Sequence, residues 1–127
     1  MRFHASFPAL LAFFALALVA PAQALERADV ANRYQWDLKD LYGDEAAWVA
    51  GKQEFVQSLP ALGTWQGKLG ASPASLLEGM TAWEQASRRA DRLYAYAFQL
   101  YDQDTRVGRS LQMQQEMSQV YSSFQST

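Results

Sequence analysis

The sequence predicts an all-α protein, an antiparallel hairpin or bundle of about three helices. Apolar residues recur at helical spacing in three stretches of the chain, residues that favour helix starts precede two of them, and turn-forming residues separate them. No internal repeat of fixed period is present, which argues against an array of helical repeats.

The first helix is predicted to begin after Asp44, whose carboxylate can accept hydrogen bonds from the free N–H groups of the first turn. Its apolar face comprises residues spaced by seven, four and three positions: Trp48, Phe55, Leu59 and Leu62. Pro60 lacks an N–H group, so the helix is expected to end near Ser58 or to kink there. A glycine-rich loop follows, and its Trp65 and Leu69 are expected to fold back onto the core.

The second helix has the clearest start, because Ser72 is a good N-cap and Pro73 suits the first helical position. Alternating steps of four and three residues predict a packing seam along it: Leu76, Met80, Trp83, Ser87, Ala90, Tyr94, Ala97 and Tyr101. Residues 93–100 are apolar on several sides, so this end is expected to be the most buried. Glu84 and Arg88 are spaced to form a pair on the outer face.

A polar turn at residues 102–108 precedes the third helix, which is expected to begin near Arg109. Its apolar face repeats every three or four residues: Met113, Met117, Val120 and Phe124. No helix-ending signal precedes Thr127, which predicts that the domain at residues 44–127 is truncated in its last helix.

Residues 1–24 are typical of a secretory signal peptide. Arg2 supplies the basic start, an apolar run covers residues 9–20, and small residues precede a cleavage position after Ala24. The run is too short to form a stable membrane span. The sequence therefore predicts an exported protein, periplasmic or secreted. Residues 25–43 are predicted to be an extended lead-in, anchored by apolar residues between Trp36 and Tyr42.

Composition excludes some classes of function. Residues 25–127 hold 10 basic and 13 acidic residues, a net charge of −3, which gives no electrostatic basis for binding nucleic acid. The chain has no cysteine, so an exported form must be held together by burial and not by disulfides.

The sequence offers no catalytic, cofactor-binding or metal-ligating residue. The only histidine is His4, inside the predicted signal peptide, so the rest of the chain cannot build a catalytic triad or a usual zinc site. Asp102 and Asp104 invite a calcium-loop interpretation, but Val107 and Met113 stand where the EF-hand requires glycine and glutamate. A solvated turn between helices is the better interpretation.

Other polar and aromatic groups allow two interpretations each. The pairs Asp37 with Asp40 and Asp44 with Glu45 could serve acid–base chemistry, but their positions favour helix caps and turns. The basic cluster at residues 87–92 is interpreted as a solvated helix face. An aromatic stripe could line a peptide groove, although its spacing favours core packing: Trp83, Tyr94, Tyr96, Phe98 and Tyr101.

Three stretches, in this order, resemble the oligoendopeptidase F family of thimet-type zinc oligopeptidases. Residues 36–48 carry the Trp-Asp-Leu-x-x-Leu-Tyr opening and an acidic, Trp-containing helix start. Residues 67–78 hold Gly-Lys-Leu, Ser-Pro and Leu-Leu-Glu, and residues 92–105 hold Arg-Leu-Tyr-Ala-Tyr-Ala followed by Asp, Asp and Thr. The resemblance covers about residues 34–127.

The resemblance implies the N-terminal region of a larger, helical peptidase whose catalytic domain is missing from this sequence. In the family, such helices form part of the wall of a channel that admits oligopeptides. Catalysis there needs zinc bound by a His-Glu-x-x-His helix and a later glutamate, none of which this sequence contains, so it should be inactive alone. The alternative hypothesis is a non-enzymatic periplasmic helical module that binds a partner.

Overall fold

The computed structural model describes residues 26–126. The described chain contains three α-helices and no strand, which confirms the predicted fold class: α1 is Glu45–Gly63, α2 is Pro73–Gln103 and α3 is Gly108–Gln125. The predicted signal peptide, residues 1–24, lies outside the described residues. The chain divides after Val30, and residues 26–30 contain one 3-10 turn, Arg27–Asp29. None of the described helices is long and apolar enough to cross a membrane.

The predicted helix starts are confirmed by their caps. The Asp44 carboxylate accepts a hydrogen bond from the Ala47 N–H at 2.8 Å, and the Ser72 hydroxyl accepts one from the Ser75 N–H at 3.0 Å. Both capping residues have extended backbone, which lets the side chain turn back to the first turn of the helix. Pro73 occupies the start of α2, where its missing N–H has no partner to lose.

Pro60 does not end α1, so the predicted end near Ser58 was wrong, whereas the alternative of a kink there stays a prediction. The helix continues to Gly63 with Pro60 inside its last turn. Proline removes one hydrogen bond there, while Leu59 and Leu62 on the apolar face remain packed against the core. Burial of these two leucines therefore outweighs the loss of a single bond close to the end of the helix.

Helix α2 lies at the centre and runs antiparallel to both neighbours. Near the start of α1, the Trp48 indole donates to the Leu93 carbonyl late in α2, at 2.9 Å, and near the end of α3 the Phe124 ring stacks on Trp83 early in α2. The core combines large side chains of α1 and α3 with three alanines and two larger residues of α2: Trp48, Phe55, Ala86, Ala90, Leu93, Tyr96, Ala97, Met113, Met117 and Phe124. The predicted apolar face of α3 is thereby confirmed, and so is the deep burial of the later part of α2.

The predicted seam of α2 is wrong in its first half. Leu76 and Met80 are exposed there, and Trp83 and Tyr94 lie at the edge of the core with more than a third of their surface exposed. Alanines occupy the centre of the contact instead, because small side chains let α1 and α3 approach α2 from two sides. Periodicity alone cannot distinguish this narrow stripe of alanine from the adjacent row of larger residues.

The lead-in is not simply extended. It contains 3-10 turns at Asn32–Tyr34 and Leu38–Asp40. Leu38 is buried against the helices, which agrees with the predicted apolar anchor, whereas Trp36 remains 60% exposed.

Candidate binding groove

The loop between α1 and α2 turns back over α2 through a series of tight turns. N–H groups of the loop donate to carbonyls three residues earlier, from Trp65 to Leu62 at 3.1 Å and from Lys68 to Trp65 at 3.0 Å. Gly67 has a φ of +74°, a left-handed conformation that costs glycine little and other residues more. This reversal returns Trp65 and Leu69 to α2, but they lie on its surface at Gly79 and not on the core as predicted, and Leu69 remains 42% exposed.

A glycine in α2 lets this loop lie directly on the helix. Gly79 is buried, and a Cβ atom at this position would lie 2.3 Å from Leu69 Cδ2 and 3.4 Å from the Trp65 ring. Any larger residue at this position would therefore force the Leu69 side chain to move.

Between the loop and the first half of α2 lies an open groove of about 790 Å³. Its apolar lining comes from α1, the loop and α2: Leu62, Trp65, Leu69, Met80 and Trp83. Glu84 is the one charged residue among the described side chains that line it, and this carboxylate is paired with Arg88 at 2.6 Å on the solvent side. A concave apolar surface with few polar groups is suited to binding an apolar ligand or protein segment.

Trp83 closes one side of the groove and is held from behind by the core. Its ring stacks on Phe124 with 4.6 Å between ring centroids and an interplanar angle of 22°. Phe124 is buried and also makes an edge contact with Phe55 at 5.6 Å. The exposed face of Trp83 is therefore kept in one orientation by residues of all three helices.

A second, smaller cavity of about 240 Å³ lies on the other side of α2, beside Tyr42 and Arg92. The Arg92 guanidinium donates to the carbonyls of Leu41 at 2.5 and 2.8 Å and of Asp40 at 3.1 Å, and its Cζ atom lies 5.4 Å from the centroid of the Tyr42 ring. Burial raises the pKa of the Tyr42 phenol, against a smaller lowering by Arg92. This arrangement fixes the lead-in to α2 and offers no group poised for catalysis.

Charged side chains connect α1 with α3. Arg109 donates to Glu45 at 2.6 Å and to Glu116 at 3.3 Å, and Lys52 pairs with Glu116. The hydrogen bond from Lys52 is the main reason that the pKa of the Glu116 carboxyl lies below its ordinary value, with burial acting in the opposite direction. The network is structural, since every carboxylate in it is held by a cation on the neighbouring helix.

The polar residues considered for chemistry have structural roles. Asp37 accepts a hydrogen bond from the Lys39 N–H at 3.0 Å and Asp44 caps α1. Asp104 ends α2 and is bound by the Arg106 guanidinium, which lowers the pKa of its carboxyl to about 2. Nowhere in residues 26–126 do three or more histidine, cysteine, aspartate or glutamate side chains come together in a way that could hold a metal ion.

The aromatic stripe of α2 does not line one groove. Tyr96 is buried against Tyr42, with 5.5 Å between ring centroids, whereas Tyr94 stacks on Phe98 at 3.7 Å on the outside. Of the stripe only Trp83 reaches the groove. The groove itself was not predicted from the sequence, and the signal that could have found it is the run Leu76, Leu77 and Met80, which makes the start of α2 apolar on more than one side.

The fold and the groove define a helical unit suited to packing against, or binding, another apolar surface. Its relatives are oligopeptidases. The chain is 31% identical over 101 residues to group B oligopeptidase PepB of Streptococcus agalactiae, and 34% identical over 83 residues to oligopeptidase PepF of Bacillus subtilis. It is thus related by sequence to the oligoendopeptidase F family, as its ordered motifs predicted.

The matched regions cover most of this chain and a small part of each relative. They amount to 80% and 65% of the chain but only 17% of PepB and 12% of PepF. No family model matches the chain. No solved structure matches it either.

Proposed function

We propose that this chain is the N-terminal helical segment of a longer, exported zinc metalloendopeptidase that hydrolyses oligopeptides, and that it forms part of the wall of the peptide channel. The similarity to PepB over 101 residues carries the proposal. The fold is consistent with it, because three packed helices with an uncovered apolar groove suit a unit inside a larger helical protein.

The chemistry of hydrolysis is assigned to the part of the longer polypeptide outside this sequence. A zinc ion bound by histidines and a glutamate would supply the activated water there. The residues described here do not fit such a site, since His4 is the only histidine of the sequence and residues 26–126 hold no cluster of ligands. We therefore assign no step of the reaction to them, and their role is to shape and support the path of the peptide.

Export is part of the proposal and rests on the pattern of residues 1–24. A basic start, an apolar run of about a dozen residues and small residues before position 25 are the features that signal peptidases recognise. The absence of cysteine leaves the helices independent of the redox state of the compartment.

The test is the intact mass and activity of the native product. Antibodies raised against residues 26–126 would isolate it from the exported fraction of the source cells. We expect a product several times heavier than residues 25–127, with peptide hydrolysis that a zinc chelator abolishes. A product of the mass of residues 25–127, without peptidase activity, would contradict the proposal.

A free-standing partner-binding module is the second candidate, and the open groove is the observation that favours it. Solution behaviour separates the two. A free-standing module should bind a hydrophobic dye through its open groove in the native product, whereas in a longer peptidase the groove should be covered and leave the dye unbound.

A further inference from the structure

Several of the exposed large apolar side chains of the described chain lie in the groove or in the part of α2 that precedes it. Three large apolar side chains of the first half of α2 and one from the loop each expose more than 40% of their surface: Leu69, Leu76, Leu77 and Met80. Trp83 continues this surface to the core. Single exposed apolar residues are common on proteins, but a contiguous group of this kind marks a contact surface.

The side chains of this surface are held in place before any partner binds. Trp83 is held by Phe124, and the Trp65 and Leu69 side chains rest on the bare backbone at Gly79. Tryptophan in a rigid apolar setting is the residue most often found at the energetic centre of protein contacts. A partner would bind here without first having to order these side chains.

The lining also indicates the chemistry of the partner. Glu84 is the one charge among the described lining residues, and Arg88 already neutralises it. A charged small ligand would find no counter-ion, whereas an apolar helix face would bury its side chains at steps of three and four residues. The remainder of the longer polypeptide proposed above would be the source of such a helix, since 83% and 88% of the length of PepB and PepF lies outside the matched regions.

We infer that the groove lined by Leu62, Trp65, Leu69, Met80 and Trp83 seats the apolar face of a helix from the remainder of the longer polypeptide. The inference rests on the proposed function and adds to it a specific intramolecular contact. It makes Trp83 and Met80 the central residues through which this segment is fixed within the peptidase.

Thiol accessibility tests the inference, because the sequence has no cysteine of its own. Met80→Cys places a thiol in the groove, and Val107→Cys places one on the exposed turn between α2 and α3, away from it. Both variants are made in the longest product that contains this chain. The rate of maleimide alkylation at each site is measured by peptide mass spectrometry and divided by the rate in denaturant.

We expect the thiol of Met80→Cys to react at least about tenfold more slowly than that of Val107→Cys in the longer product, because the reactivity of a thiol falls when it is buried. In the 127-residue chain alone, both should react rapidly. Rapid reaction of Met80→Cys in a longer, active peptidase would overturn the inference and leave the proposed function standing.

Two further outcomes overturn it in other ways. If no longer product exists, the proposed function fails as well, and the helix invoked here does not exist. If the thiol of Met80→Cys becomes protected in the 127-residue chain as its concentration rises, the occupant is a second copy of the chain.

Discussion

At the scale of single residues, Trp48 makes the most specific contact between α1 and α2. Its side chain is completely buried, its Nε1 donates to the Leu93 carbonyl at 2.9 Å, and the Lys52 ammonium lies 4.7 Å from its ring centroid. The indole therefore fills volume, donates a hydrogen bond and offers an aromatic face to a cation. Phenylalanine would fill less volume and could not donate the hydrogen bond.

We expect Trp48→Phe to lower the free energy of unfolding by about 2–3 kcal/mol, because it leaves a cavity and removes a buried hydrogen bond. Urea unfolding followed by circular dichroism measures the change. Trp36→Phe is the matched control, since the Trp36 ring is 60% exposed, and it should change stability by less than about 0.5 kcal/mol. Equal effects of the two substitutions would contradict the role given to Trp48.

Gly79 determines the shape of the groove more than the stability of the fold. The methyl group of Gly79→Ala would overlap Leu69 Cδ2, the end of a flexible and partly exposed side chain, so Leu69 should rotate away. In a helix interior, alanine is also more stabilising than glycine by about 0.5–1 kcal/mol, and this gain offsets the cost of moving the Leu69 side chain.

We therefore expect Gly79→Ala to shift the indole N–H resonance of Trp65 while changing the free energy of unfolding by less than about 1 kcal/mol. Nitrogen–proton correlation spectra measure the first effect and urea unfolding the second. Gly63→Ala is the control, because nothing lies within 4 Å of a Cβ atom there. An unchanged Trp65 resonance in Gly79→Ala would mean that the loop does not rest on Gly79.

The residue scale also shows where sequence reasoning succeeds. The caps Asp44 and Ser72 were predictable because a cap acts within three residues of itself. The exposure of Met80 and the contact of Trp83 with Phe124 were not, because they depend on where α1 and α3 lie across α2. A row of apolar residues predicts that a helix has an apolar face, but it does not show which neighbouring element covers that face.

At the scale of elements, the Arg92 side chain makes the hydrogen bonds that hold the Leu38–Asp40 turn of the lead-in against α2. The guanidinium of Arg92 spans the carbonyls at the end of the Leu38–Asp40 turn and lies beside the Tyr42 ring. Arg92 was predicted to lie on a solvated face, because no local pattern indicates a bond to residues some fifty positions earlier. The planar guanidinium can donate to two adjacent carbonyls at once, whereas an ammonium group cannot do so in the same geometry.

We expect Arg92→Gln to speed amide hydrogen exchange at Leu41 and Tyr42, whose N–H groups donate within this turn, while the interior of α2 stays protected. Arg92→Lys should restore protection only in part, because it cannot bond both carbonyls in the same geometry. Arg88→Gln, which removes an exposed pair with Glu84, serves as the control and should leave exchange unchanged. Faster exchange throughout α2 would indicate instead that the whole fold is weakened.

At the scale of the whole molecule, the outer helices are joined by charges as well as by the core. Lys52 and Arg109 both bind Glu116, and Arg109 also binds Glu45. The pKa of Glu116 is lower in the folded chain than its ordinary value of 4.5, so the unfolded chain binds the proton more readily. The resulting stabilisation is present above about pH 4.5 and is lost as the pH falls through the folded-state pKa.

We expect the free energy of unfolding to decrease as the pH is lowered below about 4.5, and Glu116→Gln to make this decrease smaller. The contribution of such a partly exposed carboxylate should not exceed about 1 kcal/mol. Urea unfolding at a series of pH values measures it, with Glu84→Gln, which removes an exposed pair, as the control. An equal flattening in both variants would show that the Glu116 network has no special part in acid sensitivity.

The fold as a whole was more predictable than its surface. Three amphipathic stretches with two capped starts are enough to predict three antiparallel helices, since short connections make neighbours pack. Pro60 shows the limit of predicting helix ends from local sequence. The packing of Leu59 and Leu62 stabilises the helix beyond the point where the local sequence would end it. The apolar run at the start of α2 could have indicated an uncovered surface, but the position of the groove was not predictable, because it arises where the loop meets a glycine on another element.

The central position of α2 has a kinetic consequence. Both of its partners are its immediate neighbours along the chain, so the pairs close across loops of nine and four residues and the entropy lost on closing is small. Helical folds dominated by such local contacts reach the native state in microseconds to milliseconds. In a longer polypeptide the α1–α2 hairpin would thus form before slower contacts with later parts of the chain, giving them a preformed surface on which to fold.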